Sequence, residues 1–230
     1  MRSKMTQKAK KIKIAIDGPA GSGKSTIAQN LANLLNINYL NSGALYRIIG
    51  YYLNERKIDP KDSKIIENIL EKLNIEIKNN RYFLDGKDVT ITIKDSKIGD
   101  LASLYSKNNI VREKVNQIIK KIAEKDNIVV DGRDIGSVVL PDSDIKIYLT
   151  ASLEERAKRR WNEEKEQKAN ISFTEILEEI KNRDYNDSNR SIAPLKPAQD
   201  AIIIDTTNLS IEEVLQKILK IVKESGIYGD

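Results

Sequence analysis

Residues 18–25 read Gly18-Pro19-Ala20-Gly21-Ser22-Gly23-Lys24-Ser25, a full G-x-x-x-x-G-K-[ST] phosphate loop set between a short β-branched run and an amphipathic segment. The run Ile12-Lys13-Ile14-Ala15-Ile16 has the length and composition of a buried parallel strand, and Ile27, Ala28, Leu31, Ala32 and Leu35 repeat at helical spacing after the loop. Strand, loop and helix in that order are what the motif requires, so the segment predicts a nucleoside-triphosphate site. Gly18, Gly21 and Gly23 let consecutive N–H groups converge on phosphate oxygens, and a helix starting near Lys24 adds the positive end of its dipole. Lys24 is expected to reach the β- and γ-phosphates, and Ser25 to ligate Mg²⁺.

On both sides of the loop, short apolar runs alternate with helical segments. Residues 11–16, 37–40, 128–130, 145–149 and 201–204 predict five strands of a parallel sheet covered on both faces, a doubly wound α/β fold. Ser152-Leu153-Glu154-Glu155, Ser172-Phe173-Thr174-Glu175 and Ser210-Ile211-Glu212-Glu213 each read as a capping box opening a helix. Alternation breaks between residues 74 and 92. There Ile75-Glu76-Ile77, Tyr82-Phe83-Leu84 and Val89-Thr90-Ile91, separated by Asn79-Asn80 and Asp85-Gly86, predict consecutive hairpins, a small antiparallel lobe inserted in the α/β core. Such a lobe either closes over a second substrate or only decorates the core. Residues 156–170, with Arg156, Lys158, Arg159 and Arg160 followed by Glu163, Glu164, Lys165 and Glu166, are almost wholly polar and show no continuous core-facing stripe, which suits either a solvated helical hairpin or a mobile lid bringing arginines to phosphates.

Composition narrows the chemistry. A chain of 230 residues with 40% hydrophobic content can fill one α/β core without a second domain. It contains no cysteine and no histidine, so disulfides, thiolate sites and imidazole bases are excluded and acid–base work falls to Asp, Glu or Lys. The net charge of +5 suits polyanionic ligands, but the 39 basic and 34 acidic residues are interspersed, unlike the stripe of a nucleic-acid binder. The five basic residues within 1–11 precede no signal-like apolar region, and no run reaches membrane-spanning length. A soluble cytoplasmic monomer is expected, with neither nucleic acid nor membrane as partner.

The phosphate loop alone does not separate kinases from switches and motors. The guanine-reading N-K-x-D and the switch D-x-x-G are both absent. Arginines instead stand beside glycines, carboxylates and hydroxyls in three clusters: Ser42-Gly43-Ala44-Leu45-Tyr46-Arg47, Asp131-Gly132-Arg133-Asp134, and Arg183-Asp184-Tyr185-Asn186-Asp187-Ser188-Asn189-Arg190. Ligands of open α/β sheets bind at the carboxyl ends of strands, and guanidinium groups bind phosphate bidentately. Several converging arginines predict an acceptor that already carries a phosphate.

The set Asp17 to Ser25, Ser42 to Arg47, Asp131-Gly132-Arg133-Asp134-Ile135-Gly136 and Ile192-Ala193-Pro194-Leu195 closely resembles the bacterial cytidylate kinases over residues 13–222. The resemblance implies transfer of the γ-phosphoryl group of ATP to CMP or dCMP, with Mg²⁺, on one P-loop kinase domain spanning residues 1–230. Within it, 60–95 would be the inserted monophosphate-binding lobe and 155–171 the lid. It assigns Gly18, Pro19, Ala20, Gly21, Ser22, Gly23, Lys24, Ser25 and Thr26 to ATP. Ser42, Ser103, Arg112 and Asp134 would read cytosine, with Asp134 accepting from the amino group. Arg47, Arg133 and Arg190 would hold the monophosphate with Tyr46 packed nearby, and Arg183 and Asp187 the sugar. Lys24, Arg133 and the lid arginines Arg156 and Arg159 would act in catalysis. Asn41 stands where the family commonly has Asp, and Asn186 where some relatives have Arg, each leaving the site less charged. A kinase for UMP, dTMP, AMP or shikimate, and a nucleotide-dependent binding module, remain the alternatives.

Overall fold

The computed structural model describes residues 11–78, 80–165, 172–190 and 192–227. Residues 1–10 of the basic stretch and 166–171 of the expected lid lie outside the described residues. Five parallel strands lie in the order β2 (Asn38–Asn41), β6 (Ile128–Gly132), β1 (Lys13–Asp17), β7 (Ile145–Thr150) and β8 (Ile202–Asp205). They are the five strands that the apolar runs predict, each shifted or lengthened toward its carboxyl end.

Successive side chains of a strand face opposite ways, so a sheet covered on both sides needs apolar residues at every position. Ile14, Ala15 and Ile16 of β1 are all fully buried. Ile14, Ile16 and Val129 join a cluster with Leu31 of α1 (Lys24–Leu34) and Ile218 of α8 (Ile211–Glu224). Ala15, Ile128 and Val130 face the other cluster, with Leu45, Ile48 and Leu53 of α2 (Ser42–Glu55), Ile66 of α3 (Ser63–Glu71) and Val111, Val115 and Ile119 of α5 (Asn109–Ala123).

The long connection from α2 to β6 carries α3, a three-stranded antiparallel sheet of β3 (Ile75–Lys78), β4 (Arg81–Leu84) and β5 (Lys87–Asp88), then α4 (Ser96–Tyr105) and α5. The third strand differs from the sequence expectation of residues 89–91. Asp85 and Gly86, at φ 48° and 81°, form a two-residue turn that sets Lys87 opposite Leu84 and Asp88 opposite Phe83. Beyond Asp88 the Thr90 hydroxyl, not a backbone carbonyl, accepts from the Tyr82 N–H at 2.8 Å, and the chain leaves the ladder for a 3₁₀ turn at Thr92–Lys94.

Capping boxes open α7 (Phe173–Asn189) at Ser172/Glu175 and α8 at Ser210/Glu213. At α6 (Leu153–Lys165) only half of the expected box forms. Ser152 Oγ accepts from Glu155 N, but Glu155 binds Arg159 and the Ser152 N–H goes to Thr207 Oγ1. The polar segment also has a packing face that the sequence expectation lacked: Leu153, Ala157 and Trp161, one helical turn apart, meet Ile176, Leu177 and Ile180 of α7. Trp161 stacks edge-on to Phe173 with ring centroids 6.4 Å apart.

The inserted segment is fixed to the core mainly where α4 crosses α2. A Cβ placed on Gly50 in mid-α2 would stand 3.0 Å from Leu101 C and 3.1 Å from Ala102 N, both backbone atoms of α4. Gly50→Ala should gain about 1 kcal/mol of helix propensity yet lose about 1–3 kcal/mol by overpacking against a backbone that cannot rotate away. Thermal unfolding should therefore show a lower Tm, and a raised Tm would contradict this packing.

Candidate active site

The phosphate loop joins β1 to α1, and its geometry follows from glycine. Gly21 has φ 72°, and a Cβ on it would lie 2.7 Å from the Arg156 carbonyl oxygen, so neither its conformation nor its packing admits a side chain. Gly23 occupies the N-cap position of α1 with no side-chain cap, leaving the first amides of the helix available to a ligand. Lys24 arches back so that Nζ donates to the Pro19 carbonyl at 3.0 Å. Burial and the neighbouring Arg133 push its ammonium pKa down, and Asp131 opposes them.

Beneath the loop, Ser25 Oγ donates to Asp131 Oδ2 at 2.7 Å and the Tyr39 hydroxyl to Asp131 Oδ1 at 2.9 Å. Asp131 is 2% exposed, and burial raises its pKa against the pull of Lys24. Asn41 caps α2 by accepting from Ala44 N at 2.9 Å and turns its amide toward Ser25 Oγ and the Tyr39 hydroxyl. Asp131 and Tyr39 were not singled out as ligand residues from sequence. A carboxylate directly closing the apolar run 128–130 was the available signal.

Opposite the loop, the turn after β6 presents Arg133 and Asp134. Arg133 Nη1 donates to the Gly18 carbonyl at 2.6 Å, and its Nε to Asp187 Oδ2 at 2.8 Å. Asp134 is ion-paired to Arg112 at 2.5 Å, both nearly inaccessible to solvent, and Arg112 lies 5.7 Å from the centroid of the Tyr46 ring. Arg190 Nη2 stands 3.6 Å from Asp134 Oδ1 and is a buried donor with no hydrogen-bond partner among the described residues. Burial and Arg133 hold the Arg183 pKa down to about 10.

One cleft of about 550 Å³ gathers most of these groups. Ala20, Gly21, Gly23, Lys24, Ser25 and Thr26 line it on one side; Ser42, Tyr46, Arg47, Ser103, Arg112, Arg133, Asp134, Arg183, Asp187 and Arg190 line the other. Gly18, Pro19 and Ser22 belong to the loop but lie off the cleft wall, as do Arg156 and Arg159. Arg156, 7% exposed, braces the loop from below through the Ala20 carbonyl at 3.1 Å and Asp184 at 2.5 Å. Arg159 is spent on Glu155 and on the Thr206 hydroxyl and carbonyl. Arg160 lines the cleft instead, paired with Glu164 at 2.5 Å and close enough to Arg47 and Arg183 to help depress both their pKa values. The inserted segment contributes Asn80, Tyr82, Thr90, Ile93 and Lys94 to the wall.

Residues 14–224 match the profile of the family described as cytidylate kinase. The chain is 52% identical over 212 residues to a cytidylate kinase of Thermosipho melanesiensis, covering 92% of this chain and 97% of that protein. It is 53% identical to one of Fervidobacterium nodosum, over 92% and 96% of the two chains. Among solved structures, an uncharacterized protein from Eubacterium ventriosum aligns with a TM-score of 0.53 at 16% identity, over 93% of this chain and 99% of that one, a likeness of fold.

Because burial and the neighbouring Arg133 push the Lys24 ammonium pKa down to about 7, a polyanion arriving beside it restores the ammonium form. Binding of a nucleoside triphosphate near neutral pH should therefore take up protons, read by calorimetry in buffers of different ionisation enthalpy. Lys24→Met should abolish that uptake, and an unchanged proton count would refute the assignment.

Proposed function

The chain belongs to the cytidylate kinase family, ATP-dependent enzymes that transfer the γ-phosphoryl group of ATP to CMP or dCMP, and we propose that the cleft between the phosphate loop and the 133–134 turn holds both nucleotides. One observation carries this reading. Arg133 spans the two halves of the cleft, binding the Gly18 carbonyl of the loop with one nitrogen and Asp187 of α7 with another. A guanidinium at that junction can touch the transferring group and the acceptor phosphate together.

In this reading the loop amides and Lys24 take the ATP phosphates, with Thr26 at the loop's helical end. Arg47, Arg133 and Arg190 take the acceptor phosphate, and the unpartnered Arg190 Nη2 is the donor such a phosphate would complete. Asp134 accepts from the cytosine amino group while Arg112, Ser42 and Ser103 serve the remaining base edge. Arg183 and Asp187 hold the sugar. Arg156 and Arg159 support the loop and the end of β8, and Arg160 is the arginine of α6 that reaches the phosphates. Residues 60–95 form the acceptor lobe and 155–171 the lid, within one kinase domain that works as a cytoplasmic monomer. No described helix is long and apolar enough to cross a membrane.

The chemistry needs little beyond positioning and charge. An oxygen of the acceptor phosphate, already nucleophilic at neutral pH, attacks the γ-phosphorus, and ADP leaves with the electron pair of the broken P–O bond. Lys24 and the arginines spread the charge of that transition state, and closure excludes the water that would hydrolyse ATP. Mg²⁺ fits the donor set. Among the described residues no group of three or more acidic side chains could hold a metal alone, whereas the Ser25 hydroxyl backed by Asp131 suits an ion that arrives on phosphates. Ser25 would ligate it, and when bound it would neutralise charge on the β- and γ-phosphates.

ADP formation from Mg-ATP should be strongly stimulated by CMP and dCMP and weakly by UMP, dTMP, AMP or GMP; preference for another acceptor would overturn the assignment of Asp134, Ser103 and Arg112. Lys24→Met and Arg133→Ala should each lower turnover on the order of 10² or more with the fold intact by circular dichroism. Between neighbours on α6, Arg160→Ala should lower kcat, with Tm reduced by the loss of its pair with Glu164. Arg159→Ala should chiefly lower Tm, since it strips a charged donor from Thr206 worth about 1.5–3 kcal/mol.

A further inference from the structure

Asp17 closes β1 directly before the phosphate loop, and both oxygens of its carboxylate are used by a segment more than a hundred residues away. Oδ1 accepts from the Ile135 N–H and Oδ2 from the Gly136 N–H, each at 2.8 Å. Those two amides open the π-helical turn Ile135–Val139 and, like the first amides of any helix, have no partner within it. The residue at the N-cap position of that turn is itself an aspartate, Asp134, the residue type whose own side chain ordinarily satisfies such amides. Asp134 makes no capping bond, and its carboxylate meets Arg112 and Arg190 at the cleft.

We propose that Asp17 is a positioning residue for the acceptor site: by capping the 135–139 turn from the neighbouring strand, it frees the Asp134 carboxylate to face the acceptor base. The proposal rests on the reading that Asp134 contacts that base. Asp17 and Gly18 hold the same segment twice over, since the Gly18 carbonyl accepts from Arg133. The loop that holds the donor thereby sets where the acceptor groups stand. Only a carboxylate offers two acceptors to two N–H groups in this arrangement; an amide would accept one and turn its NH₂ against the other. The charge is kept at a cost. Burial pushes the Asp17 carboxyl up to about 6 and Asp134 adds to that rise, while the Gly136 and Ile135 amides and Lys24 draw it back.

The test is a double-mutant cycle on the full chain, with KM and kcat measured for both substrates in Asp17→Asn, Asp134→Asn and the double variant. Asp17→Asn should raise the KM for CMP about tenfold or more and leave the KM for ATP within about twofold of the parental value. The double variant should be no worse than Asp134→Asn alone by more than about twofold, because the first change acts through the second residue. Multiplying effects, an equal rise in both KM values, or no change in any constant would overturn the proposal. If Asp17→Asn does not fold, Asp17→Ser, whose hydroxyl still accepts one N–H, enters the same cycle under the same criteria. If the parental enzyme prefers another acceptor, the cytidylate assignment fails on that result, and the cycle run with the preferred acceptor still decides the role of Asp17.

Discussion

The parallel register of three adjacent strands governs this molecule. Pairing of Asp17 with Gly132 and of Asn41 with Asp131 ends β1, β2 and β6 at the same level of the sheet. Each chain leaving that edge therefore starts from the same place: the phosphate loop from β1, the cap of α2 from β2, and the Arg133-Asp134 turn from β6. A shift by one residue in any strand would send its inward side chains to the opposite face and move its loop out of the cleft. Burial of Ile14, Ala15, Ile16, Val129 and Val130 on both sides makes such a shift prohibitively costly. Core packing is in this sense the source of catalytic geometry.

The cleft stores electrostatic tension. Arg47, Arg112, Arg133, Arg160, Arg183 and Arg190 line it together with Lys24, and burial, with repulsion from neighbouring cations added to it, depresses the pKa values of Lys24, Arg47, Arg183 and Arg190. Asp134, Asp187, Glu163 and Glu164 hold some of these cations through ion pairs in the protein without nucleotides. In the proposed reading, entering phosphates compete with those carboxylates, so the ion pairs set how readily the arginines are released to ligand.

Sequence patterns foretold what depends on local rules. The phosphate loop, the five strands and the boxes at Ser172 and Ser210 are periodic or motif-like, and they stand where expected. The third strand of the inserted sheet was misplaced because a Thr90 hydroxyl, rather than propensity, ends the pairing. The direction of the α6 arginines was not readable either. Consecutive helical residues point about 100° apart, so which of Arg156, Arg159 and Arg160 meets the cleft depends on the face that packs on α7. Leu153, Ala157 and Trp161 define that face only once α7 is in place. The part of Asp131 was hidden for a similar reason, since its meaning lies in Ser25 and Tyr39, both distant in the chain.

Trp161 is the one tryptophan of the chain, and it lies in the contact between α6 and α7, with the Phe173 ring at its edge and the Lys165 ammonium 4.7 Å from its ring centroid. Indole emission depends on the polarity and charge immediately around the ring, so the protein carries a built-in optical probe confined to this helix pair. Its fluorescence reports on the immediate surroundings of the α6–α7 contact, a vantage point set apart from the sheet that fixes the cleft.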